Sequence, residues 1–495
     1  MTENFPSSQH SLLRRVTKKL FSFWIGSARS RNAKDKKIRE GIRHGGQAFT
    51  GPRILQVDLT DACANRCVAC WTHSPHLLEH QKLKRVFTLD FGLLQNWIRE
   101  FRDLEVEEVH LAGAGDPLVH PQIMPILKTL KEAGLRVNLN TALYPIPAHF
   151  AETLVDQKVD LLTASIWAGS EELWARMHPG VDRKAFSEIE NFLCELQERK
   201  KKTKSLLPRV KMYHVITSQN FDFLEEMVEF GIRHFADEVE FQSVDLIPGA
   251  TEYLKLDPEM VQKVVAQLKS LRTRADYTEE FIGQDNKLDM DSQDPRQERK
   301  EFGRFYKPLR EGFHCLPGTD RVRCPRGEKN FKRVWIHDHP YPAHAYEFDS
   351  KICSKCDLAS VCYETPRSLP LETSYVNLKG VGSFLRRIQA HLGGDSKEEN
   401  IVNKIPCTVG WTYGRILANG HYVPCCKAAN FPLGDISKQT FSSIWFGDSL
   451  NEFREKAKTL RKDHPYFGKI NCLKGCDNLG MNLETIEKGL ANPIR

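Results

Sequence analysis

The chain has 495 residues, too many for one hydrophobic core, so two or three domains are expected, each able to bury its own interior. Its formal charge is +7, but residues 1–50 hold eleven Lys and Arg against three acids, which leaves sixty basic and sixty-one acidic side chains in the rest. The basicity belongs to an N-terminal arm, and the near-neutral body argues against a fold organised around a nucleic-acid surface.

Within the arm, "HSLLRRVTKKLFSFWIGSARSR" sets Leu13, Val16, Leu20 and Trp24 on a helical stripe with Lys and Arg between them. Such a stretch suits an anionic membrane surface, a partner protein, or the body of the same chain. The apolar run "LFSFWIG" is short and broken by Ser22, which argues against a signal peptide, and no segment approaches the eighteen or so apolar residues of a membrane span.

From residue 53 to about 250, apolar runs alternate with helical patterns. Strands are expected at 53–59, 106–113, 135–140, 159–167, 209–217 and 238–246. Helical spacing of Leu94, Trp97, Ile98 and Phe101 fills the first gap, and "PQIMPILKTLKEAG" and "SEIENFLCELQERKKK" fill two later ones. Strand, helix, strand at this interval predicts βαβ units on a parallel sheet, with the site at the carboxyl ends of the strands. Six units suggest a partial barrel. Residues 276–310 turn polar and aperiodic, as a linker or insertion does. Beyond them, Cys, Gly and Pro punctuate short strands, and "RILANGHYVPCC" alternates on both sides of Asn419-Gly420, a hairpin pattern.

The fourteen cysteines fall into groups, 63/67/70, 315/324, 353/356/362, 407/425/426 and 472/476, with Cys194 alone. Short clusters favour metal or iron–sulfur ligation in a reducing compartment, so a cytoplasmic protein is expected. "LTDACANRCVACWTH" carries Cys63, Cys67 and Cys70 at Cys-x3-Cys-x2-Cys spacing on the loop after the first strand. A structural zinc site wants four protein ligands, here with His73 or His76 as the available fourth. Three thiolates on a four-iron cube leave one iron open for chemistry.

These cysteines, in this spacing and place, resemble the motif of the radical S-adenosylmethionine (SAM) superfamily. The resemblance implies an α/β fold, a partial (β/α)6 TIM-like barrel over 51–275. It also implies a [4Fe–4S] cluster on Cys63, Cys67 and Cys70 that binds SAM at its open iron and, once reduced, cleaves it to a 5′-deoxyadenosyl radical that takes hydrogen from a substrate. After the second strand, Gly113-Ala114-Gly115-Asp116-Pro117 resembles the family's Gly-Gly-Glu-Pro segment, whose backbone binds the SAM amino group. Two positions depart from the pattern: Ala69 stands where an aromatic residue usually precedes the third cysteine, with Trp71 beyond it, and Asp116 replaces Glu. Ser165 and Asn220 fall where relatives place polar groups toward SAM, with strand-end polarity and helix capping as the plain alternatives. His178 in "MHPG" is read as a loop histidine without a chemical role.

Further on, Cys407, Cys425, Cys472 and Cys476 resemble the SPASM or shortened twitch extension of that superfamily, a small Cys-rich domain that holds an auxiliary [4Fe–4S] cluster. Cys426 is a spare thiol or an alternative ligand, and zinc also accepts four thiolates. Cys315, Cys324, Cys353, Cys356 and Cys362 resemble a SPASM core without its later cysteines, which leaves a second auxiliary cluster, a zinc site or a remnant open. The domains expected are therefore an arm (1–50), the barrel (51–275), a linker (276–310), a Cys-rich SPASM-like segment (311–370) and a second SPASM/twitch-like domain (371–495). The implied enzyme is a radical SAM oxidoreductase or maturase acting on a small molecule or carbohydrate, or alternatively on a ribosomal peptide. A reductase, flavodoxin or ferredoxin would supply electrons, and no nucleic acid is expected. The competing class is a zinc-bearing nucleic-acid-binding protein, which predicts salt-dependent affinity for RNA or DNA.

Overall fold

The structure, a computed structural model, describes residues 33–273 and most of 401–490, with short strands between them. Alternation decides how the strands sit. In β3 (Arg136–Thr141), Val137, Leu139 and Thr141 are buried while Arg136, Asn138 and Asn140 are half-exposed, and β5 (Arg209–Ile216) repeats the pattern over eight residues. In these two strands one face is buried against the core and the other is half-exposed.

Six strands in chain order build the centre of the sheet: β1 (Ile54–Val57), β2 (Glu108–Leu111), β3, β4 (Leu161–Ser165), β5 and β6 (Glu238–Ser243). All are parallel to their neighbours. Each expected strand is present, most of them shortened at one or both ends, while β3 runs one residue past its expected end. The helices between them are α2 (Phe91–Asp103), α3 (Ile123–Glu132), α4 (Phe150–Asp156), α5 (Glu171–Met177), α6 (Lys184–Thr203) and α7 (Leu224–Arg233), followed by α8 (Pro258–Thr273). In α2, Asp90 caps the first turn by accepting from the Leu93 amide at 2.8 Å, and Leu94, Trp97, Ile98 and Phe101 bury one face. Each such side chain contributes about 1.5–3 kcal/mol when fully buried.

Both edges of the central sheet are extended. On one side β9 (Tyr413–Ile416) runs parallel to β1, and the hairpin through β10 (His421–Val423) turns at Gly420, whose φ is +84°. A last short strand, β11 (Gly434–Asp435), pairs with β10. On the other side β8 (Val376–Lys379) is parallel to β6 and to β7 (Tyr277–Glu279). The strand order is β11-β10-β9-β1-β2-β3-β4-β5-β6-β8-β7, an open sheet to which the Cys-rich C-terminal part adds strands directly. Helices α9 (Phe441–Trp445), α10 (Asp448–Thr459) and α11 (Leu479–Glu487) follow that hairpin.

Residues 33–44 form helix α1, which buries Ile38 and Ile42 on one face, and the Trp411 indole donates to the Gln47 carbonyl at 2.8 Å. The last part of the basic stretch therefore packs on the body, while the stripe through Leu13 and Trp24 lies outside the described residues. Among the described residues no helix is long and apolar enough to cross a membrane.

Candidate iron–sulfur and SAM site

The cysteine loop leaves β1 at its carboxyl end and is held from several sides. The Val68 amide donates to the Met177 carbonyl at 3.0 Å, tying the loop to α5, and the Asn65 amide side chain donates to the Tyr144 carbonyl at 3.2 Å. Within the loop, the amides of Asn65 and His73 donate to the sulfurs of Cys63 and Cys70, at 3.4 and 3.3 Å. All three thiols are free and partly exposed. Burial, followed by the nearby Cys70 and Cys63, pushes the Cys67 thiol well up, and burial and Asp116 push Cys63 up to about 12. Crowded, half-buried thiols resist ionising by themselves and favour a cation that binds them as thiolates.

His73 does not complete a zinc set in this geometry. Its Nε2 lies 2.8 Å from the Asp61 carbonyl oxygen, and His76 is packed edge-on to Tyr253 with ring centroids 5.0 Å apart. Among the described residues no three His, Cys, Asp or Glu side chains converge as ligands of a single ion.

The glycine turn after β2 lies directly against this loop. Gly115 and Asp116 donate their amides to the carbonyls of Thr60 and Ala62, at 3.1 and 3.0 Å, and the Thr72 hydroxyl donates to the Ala114 carbonyl at 2.5 Å. A Cβ on Gly115 would stand 2.1 Å from the Ala62 oxygen, and one on Gly113, at φ +154°, would stand 2.4 Å from the Asp58 carboxyl carbon. Gly115 is needed because two backbones meet there, and Gly113 because the Asp58 side chain packs against it. Asp116 is buried, and its carboxylate accepts from the Leu118 amide, the Thr141 hydroxyl and the Ala142 amide, at 2.9, 2.8 and 2.7 Å. It shapes the turn.

Asn220 is likewise engaged within the chain. Its oxygen accepts from the Thr217 amide at 2.7 Å, and its nitrogen donates to the carbonyls of Trp167 and Val215 at 3.1 and 2.9 Å. A fully buried amide with these partners supports a turn and offers no free group to a ligand. Ser165 ends β4 half-exposed and accepts from the Trp167 indole at 2.9 Å. His178 is buried and stacked on Trp174, with centroids 4.7 Å apart, and Nδ1 lies 3.0 Å from the Trp174 carbonyl oxygen.

In the C-terminal part, Cys407, Cys425, Cys472 and Cys476 are free and half-buried. Burial pushes the Cys425 thiol far up, with Cys407, Cys426, Cys476 and Cys472 adding to it. Cys426 is held against β1: its sulfur lies 3.0 Å from the Tyr413 hydroxyl and donates to the Gln56 amide oxygen at 3.5 Å. Of the other group, Cys324, Cys353, Cys356 and Cys362 lie outside the described residues, as does the side chain of Cys315, whose backbone belongs to a strand over His314–Cys315.

Sequence reasoning missed the residues that join the two cysteine-bearing parts. Asp58, at the end of β1, accepts from Nε and Nη2 of Arg415 on β9, at 3.0 and 2.6 Å, and Arg415 Nη1 donates to the Cys426 carbonyl at 3.0 Å. Lys427 places its ammonium 3.7 Å from the centroid of the Trp71 ring and pairs with Asp245 beyond β6. A charged residue closing the apolar strand "RILQVDL" was the visible sign of the first contact.

Two regions of the chain match family models. Residues 57–231 match the family model described as the radical SAM superfamily, and residues 407–472 match SPASM, the iron–sulfur cluster-binding domain. Solved structures similar to the chain include SuiB of Streptococcus suis bound to S-adenosylmethionine, 13% identical with a TM-score of 0.48, covering 88% of this chain and 74% of that one. Another is anSMEcpe with bound AdoMet, 14% identical with a TM-score of 0.45, covering 82% and 84%. BtrN in complex with AdoMet and 2-DOIA is 11% identical with a TM-score of 0.29, covering 86% and 94%. No curated protein matches by sequence.

Proposed function

We propose, for a chain that carries a radical SAM domain and a C-terminal SPASM domain and is a radical SAM enzyme, that Cys63, Cys67 and Cys70 hold its SAM-binding [4Fe–4S] cluster. The carrying observation is the glycine turn 113–116 seated against the three-thiol loop, which brings a main-chain cradle beside the thiols. The donor set fits the group, since three free thiols lie within electrostatic reach of one another and His73 is engaged elsewhere. With cluster and SAM bound, the chemistry supplied is reductive cleavage of SAM to a 5′-deoxyadenosyl radical that abstracts hydrogen.

The chain's own residues do the rest. The backbone of Gly113, Ala114 and Gly115 would receive the amino end of SAM, Asp116 keeps that turn closed on β3, and Ser165, half-exposed at the end of β4, would offer SAM a polar group. Cys407, Cys425, Cys472 and Cys476 hold an auxiliary [4Fe–4S] cluster, and Asp58 with Arg415 fixes the two parts together. The substrate is a small molecule or carbohydrate that is oxidised or otherwise modified, and a reductase, flavodoxin or ferredoxin supplies electrons to the enzyme. Support comes from the concave face of the sheet, where Asn138, Asn140 and Ser165 are half-exposed and the Thr163 hydroxyl donates to Asn138 at 3.1 Å.

Electron paramagnetic resonance of the reduced, reconstituted protein tests the ligand assignment. A signal perturbed by SAM should vanish in Cys70→Ala and persist in Cys425→Ala. A SAM-sensitive signal that survives Cys70→Ala would refute it.

A further inference from the structure

Lys462 lies on the turn after α10 and is 6% exposed. Its ammonium donates to the carbonyls of Ala457 and Leu460, at 2.7 and 2.8 Å, and stands 4.8 Å from the centroid of the Phe467 ring. The Ala457 carbonyl also accepts the amide of Cys407 at 3.3 Å, so the cation and the first C-terminal cysteine share one acceptor. Among the described residues no carboxylate pairs with Lys462, and its neighbour Asp463 is engaged by Arg461 at 2.9 Å. A buried ammonium without an anion is costly, because carbonyls and a ring face replace only part of its hydration. Burial pushes its pKa down, while the thiols of Cys407, Cys472 and Cys476 push it back up, so three of the four C-terminal thiols lie within its field.

We infer that Lys462 is the built-in counter-charge of the C-terminal cluster and sets its redox poise, a role that rests on the assignment of Cys407, Cys425, Cys472 and Cys476 as ligands. Four thiolates give the site a net negative charge, and one-electron reduction makes it more negative by one unit without requiring a proton. A fixed cation in a poorly solvated place favours the reduced form over the oxidised one. Lys462 therefore raises the reduction potential of that cluster and makes it a better electron acceptor. It is a positioning residue that acts through charge and touches neither SAM nor substrate.

The test is a redox titration of the reconstituted full chain, reading the paramagnetic signal that disappears in Cys425→Ala. Lys462→Met should shift the reduction equilibrium about tenfold toward the oxidised form, about 59 mV for one electron, and Lys462→Arg should stay near wild type. An unchanged midpoint in Lys462→Met overturns the inference. If Lys462→Met takes up no cluster, Lys462→Arg decides: uptake shows that the charge is needed, and failure shows that the lysine's shape matters instead and overturns it. A wild type without any signal dependent on Cys425 removes the ligand assignment itself, and this inference with it.

Discussion

Asp58 and Arg415 form a buried two-point ion pair between β1 and β9, with Asp58 wholly inaccessible. Removing one partner strands the other charge, so Arg415→Ala is expected to destabilise the protein by about 3–5 kcal/mol in urea denaturation. Replacing both, as in Asp58→Leu with Arg415→Leu, should cost less than the single change, since no charge is left unpaired. A loss in the double variant equal to the sum of the two single losses would show that the pair is not coupled. Gly115 makes a separate demand. Its missing Cβ is what allows the turn to approach the Ala62 carbonyl, so Gly115→Ala should lower iron bound at the first site while the circular dichroism spectrum holds. Iron content equal to wild type would contradict the cradle geometry.

At the scale of the elements, α2 and β5 carry two different dependences. Phe101 is fully buried on α2 and packs edge-on to Phe441 of α9 at 5.2 Å, so Phe101→Ala should cost about 3–5 kcal/mol. His214 lies on the helix-facing side of β5, fully buried and with neither ring nitrogen hydrogen-bonded, and burial pushes its pKa down to about 3. The unfolded chain binds that proton at about pH 6.5. Its contribution is therefore complete above that pH and is lost as the pH falls toward 3, because only the unfolded state takes up the proton. His214→Leu should flatten stability against pH in this window; an unaltered acid limb, followed by denaturant midpoints from pH 7 to 4, would show that His214 does not control it. The strands were legible because period-two burial is written in residues such as Val137 and Leu139, and α2 because its apolar residues recur at helical spacing. Helices α4, α5 and α7 were not anticipated: α4 and α5 have seven residues each, about two turns, too few for a period to stand out.

At the scale of the whole molecule, the glycine turn after β2 and the hairpin at Asn419-Gly420 were readable, because close backbone approach and tight turns demand particular residues at particular spacings. What joined them was not readable. Asp58 and Arg415 are 357 positions apart, and Cys426, which the sequence leaves open as a spare thiol or an alternative ligand, has its sulfur against Tyr413 and Gln56. Asn220 and Asp116 read as ligand contacts because polar residues at strand ends serve ligands and turns alike, and only hydrogen-bond partners separate the two uses.

The central claim is that a cluster on Cys63, Cys67 and Cys70 cleaves SAM. Anaerobic protein reconstituted with iron and sulfide, then given dithionite and SAM, should form 5′-deoxyadenosine, and Cys67→Ala should form none. Product in equal amount from Cys67→Ala, or an iron-loaded wild type that forms none with or without substrate present, would contradict it.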